Sequence, residues 1–272
     1  MNRPLNVFVL AAALAASGLP MSGQASSPTS PASKIFLSET QGTGHIENNG
    51  QVYEPKQGAA FSARGTLMVT GKDSHQTYVL SSGTGLYLSA NTQVQIDRFE
   101  QEHFSAIAKD DAEPSVSHAI IGVAHGLVAT CASEMMSGTT LVYSTPLARI
   151  NVRGRRVVIN VAANTTTISA VEGSVTVRTG AKDESSVTLQ PGEQAVVTTG
   201  AAGEPQTVVG PIDHDALQGL DVMLASACQA RRTVAFDVEA GAGSDEVVAH
   251  PTVTATPPTN LTVSPDRLNP GQ

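Results

Sequence analysis

The stretch from Ser144 to Thr179, STPLARINVRGRRVVINVAANTTTISAVEGSVTVRT, admits little besides short strands. Ile150 and Val152 alternate with Arg149, Asn151 and Arg153, the period of two that marks a strand with one buried face. After Gly154 the parity changes and Val157, Ile159 and Val161 carry the apolar side, so a bulge or bend is expected at Gly154. Ala162 to Asn164 reads as a turn, and Thr166, Ile168 and Ala170 as a third run. Glu172 and Gly173 are expected to form a tight corner before a further strand begins at Val175 and Val177.

Similar signals fill the chain upstream. Asn48-Asn49-Gly50, Gly58, Gly65, Gly71-Lys72-Asp73 and Gly83-Thr84-Gly85 punctuate it at short spacing, with alternation at Thr66 to Thr70, Tyr78 to Leu80 and Leu86 to Ile96. That rhythm predicts antiparallel hairpins. Phe99 to Ser117 interrupts it with the polar run Lys109 to Pro114 and reads as a surface loop. Aromatic residues are only 4% of the chain and Trp is absent, so its core must be built from Val, Ile, Leu and Ala. Downstream, Leu217, Leu220, Leu224 and Cys228 recur at steps of three and four, the one clear helical stripe. Asp213 or Asp215 can cap that helix, with Gln218 in capping-box position after Asp215, and Arg231 and Arg232 suit its C-terminal end. Val234 to Val238 can add one strand, and from Gly241 onward the chain is Pro/Thr-rich without periodicity.

The organising stretch resembles the FecR-like domain family of bacterial extracytoplasmic β-domains. The likeness rests on Thr145-Pro146, the Val152 to Gly154 block, the apolar run Val157 to Val161 and the turn Val171 to Val175. It extends to Gly85-Leu86-Tyr87-Leu88 with Asn91, Thr92, Val94 and Ile96 upstream, and to Val187, Leu189 and Pro191-Gly192-Glu193 downstream. One departure is Arg155, where that family commonly has Thr after its Arg-Gly pair. The resemblance implies an all-β fold of two packed antiparallel sheets, a sandwich or jelly roll with solenoid-like regularity. It also brings a second functional reading, since family members with a cytoplasmic segment and a membrane span are regulators that sense a transporter, related to those of iron transport, and control a sigma factor.

The expected organisation is a signal peptide over residues 1–25, a disordered linker over 26–34, the β-domain over 35–200, a linker and packed helix over 201–240, and a disordered tail over 241–272. Arg3, the apolar run Leu5 to Ala16 and the small residues of Gly23-Gln24-Ala25 carry the first assignment. It predicts a periplasmic or secreted protein with no membrane span after cleavage. The net charge is -8, and without Arg3 the count is 15 basic against 24 acidic residues, a balance of -9. Such a chain lacks the basic footprint that nucleic-acid binding requires.

No catalytic, cofactor-binding or metal-ligating constellation is legible. His118 and His125 are the closest histidine pair and lie in a strand-like region; Asp213, His214 and Asp215 sit where helix capping accounts for the acids. Gly83-Thr84-Gly85 has no following Lys-Ser/Thr, and no Gly-x-Ser-x-Gly elbow occurs. What stands out in an acidic chain is Arg149, Arg153, Arg155, Arg156 and Arg178, which on paired strands can form a stripe able to fork onto carboxylates or sulfates. Arginines on outer strand positions also discourage aggregation, so a plain solvated face is the competing reading. The leading expectation is an exported, non-enzymatic domain, without cofactor, that binds a protein or glycan of the cell envelope; an envelope hydrolase is the rival class. Cys131 and Cys228, the only cysteines, are an even count suited to an oxidising compartment. They are either bonded, stapling the helix to the sheet, or two buried thiols that never meet.

Overall fold

A computed structural model describes residues 33–104, 111–180, 183–200, 203–239 and 246–252. The expected signal peptide and most of the expected linker lie outside them. Strands dominate. β1 (Lys34–Gln41), β2 (Gly44–Asn48), β3 (Gln51–Tyr53), β4 (Ala60–Ser62) and β5 (Leu67–Thr70) are followed by β6 (His75–Leu80), β7 (Gly85–Leu88) and β8 (Gln93–Gln101). Then come β9 (Ser117–Cys131), β10 (Thr140–Ser144), β11 (Arg149–Ala162), β12 (Thr165–Thr179), β13 (Ser185–Leu189), β14 (Glu193–Thr199) and β15 (Pro205–Pro211). Helix α1 (His214–Ala230) precedes β16 (Val234–Glu239) and β17 (Glu246–Pro251). No helix among the described residues is long and apolar enough to cross a membrane.

Pairing runs without a break through β15-β14-β12-β11-β10-β9-β7-β6-β1-β4, with β13, β2, β3, β5 and β8 joined to its sides. Where two packed sheets were expected, the hydrogen-bond ladder is thus continuous, because the long strands change partners along their length. The first part of β9 pairs with β8 and β10, and its last residues pair with β7 and β11. The β9–β10 pair is parallel and the other pairs are antiparallel, apart from one isolated bridge. One apolar core collects the inward residues of this network, from Ile35 and Leu37 on β1 to Ala195 and Val197 on β14.

In the Ser144 to Thr179 stretch the outcome differs from the expectation of three runs and a corner. Val157 to Val161 continues the same strand as Ile150 and Val152, and β12 passes straight through Glu172 and Gly173. The two long strands share one irregularity instead, where register shifts between Gly154 and Arg156 and again between Arg156 and Val157. Gly173 does take a positive φ of 88°, but inside a strand, opposite Gly154. The parity change read at Gly154 is therefore a bulge, and the turn chemistry of Glu172-Gly173 serves a kink rather than a hairpin.

Helix α1 forms where its stripe predicts, and the capping question resolves to Asp213, whose carboxylate accepts from the backbone N–H groups of Asp215 and Ala216 at 2.9 and 3.2 Å. Its buried residues are Leu224, Ala227 and Ala230. Leu224 packs with Ala129 and Val158 on the outer face of β9 and β11, flanked by Leu220, Met223 and Tyr87. Gly85 lets the helix come this close, since a Cβ there would stand 2.0 Å from the carbonyl oxygen of Ala227. Cys131 and Cys228 are disulfide-bonded, with their Cα atoms 5.1 Å apart. Arg231, just past the helix, reaches back to donate to the carbonyl oxygens of Gly83, Ala132 and Asp111 and to the Ser133 hydroxyl.

Two expectations about irregular segments are corrected. The chain from Gly241 on was expected to be disordered throughout, but Glu246–Pro251 is β17, paired with β16. Val247 and Phe236 are both buried there, in a second small core with Phe36, Val79 and Phe104. A six-residue strand with one valine pair is too short to show a period amid its Pro and Thr neighbours. The Phe99 to Ser117 segment is likewise not all surface, for Phe104 and Glu113 are buried.

Candidate anion-binding face

β11 and β12 fix the arginines by register. Arg149 lies directly opposite Arg178, Asn151 opposite Thr176 and Arg153 opposite Ser174. Because side chains alternate, these six share one face, and the apolar Ile150, Val152, Val175 and Val177 between them point into the core. Arg149, Arg153 and Arg178 are exposed, and among the described residues none of them makes an ion pair. Directly opposed like charges destabilise a strand pair by roughly 0.2–1 kcal/mol. A shallow groove of about 320 Å³ adjoins them, lined in part by Thr140, Val142, Asn151, Arg153, Thr176 and Arg178.

The bulge removes the other two arginines from the stripe. Arg155 meets Asp111 at 3.3 Å and Glu172 at 3.9 Å, and Arg156 meets Asp221 of α1 at 2.7 Å. Their charges are matched locally, so they act as ties between the sheet, the Asp111 segment and the helix. The five-residue stripe is thus a three-residue face plus two structural pairs. Parity counting could not show this, because a register shift inverts which side chains share a face.

Two of the remaining candidates have structural partners. Asp213 caps α1, and His118 bonds through Nδ1 to the Thr140 hydroxyl at 2.9 Å. Among the described residues no group of His, Cys, Asp or Glu could hold a metal ion. Sequence reasoning missed Glu113, a buried carboxylate between β8 and β9. It accepts from the hydroxyls of Ser117 and Thr139 and from the backbone N–H of Met136. Burial pushes its carboxyl above the usual carboxylate range despite these donors.

A raised carboxyl pKa means that the folded protein holds this proton more tightly than the unfolded chain does. The Glu113 contribution to stability is then fully present below the ordinary carboxylate pKa and is lost as pH rises through the raised folded value. The Glu113→Gln variant keeps an acceptor for Met136 and removes the buried charge. Its urea midpoint should rise relative to the parent as pH goes from 4 to 7, and parallel midpoint–pH curves for the two proteins would rule out the assignment.

No protein-family model matches the chain, and no curated protein matches it. Among solved structures it is similar to two crystal structures of a putative anti-sigma factor from Parabacteroides distasonis, at 17% identity and TM-scores of 0.42 and 0.40. The likeness covers 56% of this chain and 62% of that one. At this level it assigns neither a function nor a family.

Proposed function

We propose that this chain is an exported, non-enzymatic FecR-like β-domain that binds an acidic component of the cell envelope, protein or glycan, through the face of Arg149, Arg153 and Arg178. The Arg149–Arg178 pair carries this reading. Two guanidinium groups stand directly opposite each other, exposed and without a carboxylate among the described residues, in a protein of net charge -8. With acids outnumbering bases by 24 to 16, compensation would have been easy, as it is at Arg155 and Arg156. An incoming carboxylate or sulfate relieves the repulsion and accepts forked hydrogen bonds from both groups.

The Arg178→Glu variant separates this role from a plain solvated face. Replacing a like-charge pair by an opposite-charge pair should raise stability slightly, by about 0.2–1 kcal/mol. Binding to soluble acidic polymers, polyglutamate and hyaluronan, should fall by at least about tenfold, the loss of one charge-assisted contact. Equal affinity of parent and variant for both polymers in low-salt titration calorimetry, or no binding by the parent, would overturn the proposal.

A further inference from the structure

The guanidinium pair is one end of a longer track, and its register shows where the track leads. Ser144 on β10 lies beside Arg149, Gly122 on β9 beside Ser144, and Gln95 on β8 beside Gly122. The row Arg178-Arg149-Ser144-Gly122-Gln95 therefore crosses five strands, a span of about 19 Å at the usual strand spacing. β10 makes this possible, since its register places the outward residues of β8 and β9 in line with those of β11 and β12. A second groove, of about 250 Å³, opens at the far end and is lined in part by Gln95, Asp97, Gly122 and Ser144. Gly122 leaves a dip in the row where a side chain would press toward Asp97, 3.1 Å from its Oδ2.

We infer that this row seats a linear glycan lying across the strands, with acidic residues separated by neutral ones; the inference rests on the anion-binding reading above and names its ligand. Three features select this ligand. The large exposed apolar residues found among the described residues, Val52, Tyr53, Met136, Val208, Val209 and Val222, all lie off the row, so it lacks the anchors on which a protein partner depends. Between the arginines and Asp97 lie the Ser144 hydroxyl, the open Gly122 and the Gln95 amide, neutral groups that suit a polyhydroxylated chain. The charge pattern is graded: arginines at one end take an acid group, and Asp97 at the other is exposed, repels a second acid and accepts from sugar hydroxyls.

The test measures affinity of the full-length secreted protein for a hyaluronan octasaccharide, in which acidic and neutral sugars alternate, for its disaccharide, for a neutral dextran oligomer and for polyglutamate. The octasaccharide should bind at least tenfold more tightly than each of the others. Gln95→Glu, at an exposed position, and Gly122→Leu, which fills the dip, should each weaken octasaccharide binding several-fold and leave the weaker polyglutamate binding unchanged. Arg178→Glu should weaken both. Polyglutamate binding as tight as the octasaccharide, or octasaccharide binding indifferent to Gln95→Glu, would overturn the glycan assignment and leave the anion-binding reading standing. Binding of neither acidic polymer would overturn both.

Discussion

Replacing both Cys131 and Cys228 by alanine is expected to lower the stability of the oxidised protein by up to about 4 to 5 kcal/mol in the chain-entropy account, one of the two largest effects expected in the molecule. The bond joins residues 97 apart, so its loss frees a long loop in the unfolded chain. In the folded protein it ties α1 to the end of β9, beside the buried contacts of Leu224 and Ala227. A 17-residue helix is marginal alone in water, so α1 depends on this docking. The docking has other ties as well. Arg156 pairs with Asp221, and Arg231 fastens the helix end to the Gly83 turn and to Ala132. The helical circular-dichroism signal should therefore survive in the alanine variant under native conditions, while the urea midpoint drops. Superimposable unfolding curves with and without the bond would show that it constrains nothing.

The sequence stated the class of each element more reliably than it stated what the elements do together. Alternation at Ile150 to Val161 and the stripe from Leu217 to Cys228 reported a strand and a helix because each has one face in the core, and Val158 is the one residue of that strand run buried on the other face, under Leu224. Where both faces are buried the signal shortens, and of β6 only Tyr78 to Leu80 was legible as alternation. In β6, every residue from Gln76 to Leu80 is buried, with Tyr78 and Leu80 in the main core and Val79 in the small one. β17 gave no signal for the opposite reason, being too short.

The site was half legible for a similar reason. The residue types of the stripe are plain in the sequence, yet which arginines share a face depends on a bulge whose register only pairing defines. The extension to Ser144, Gly122 and Gln95 was not legible at all. It arises from strands β8, β9 and β10, whose alignment is a product of the tertiary fold and leaves no local trace. Glu113 shows the same limit from another side: it reads as one acid in a polar run, and only the closure of Thr139 and Met136 over it makes it buried.

The second large effect is predicted at Gly173, where Gly173→Val should cost about 2 to 6 kcal/mol, strain and overpacking each contributing roughly 1–3. Its φ of 88° is one that a β-branched residue rarely adopts, and an added Cβ would stand 2.2 Å from the Cα of Gly154. The neighbour cannot yield, since it is backbone, and a Cβ on Gly154 would in turn lie 2.5 Å from the carbonyl oxygen of Glu172. Gly50→Val provides the comparison. Gly50 also has a positive φ, 74°, in the β2–β3 turn, but nothing lies within 4 Å of a Cβ placed there. That variant should show the strain alone, about 1–3 kcal/mol, and the difference between the two isolates the close passage of β11 over β12. The same passage turns Arg155 toward Asp111 and Arg156 toward Asp221. Any Gly173→Val protein that still folds should thus have a loosened helix as well as a lower midpoint, read as faster amide exchange in α1. A Gly173→Val midpoint no lower than that of Gly50→Val would mean that the two strands do not press together at this kink.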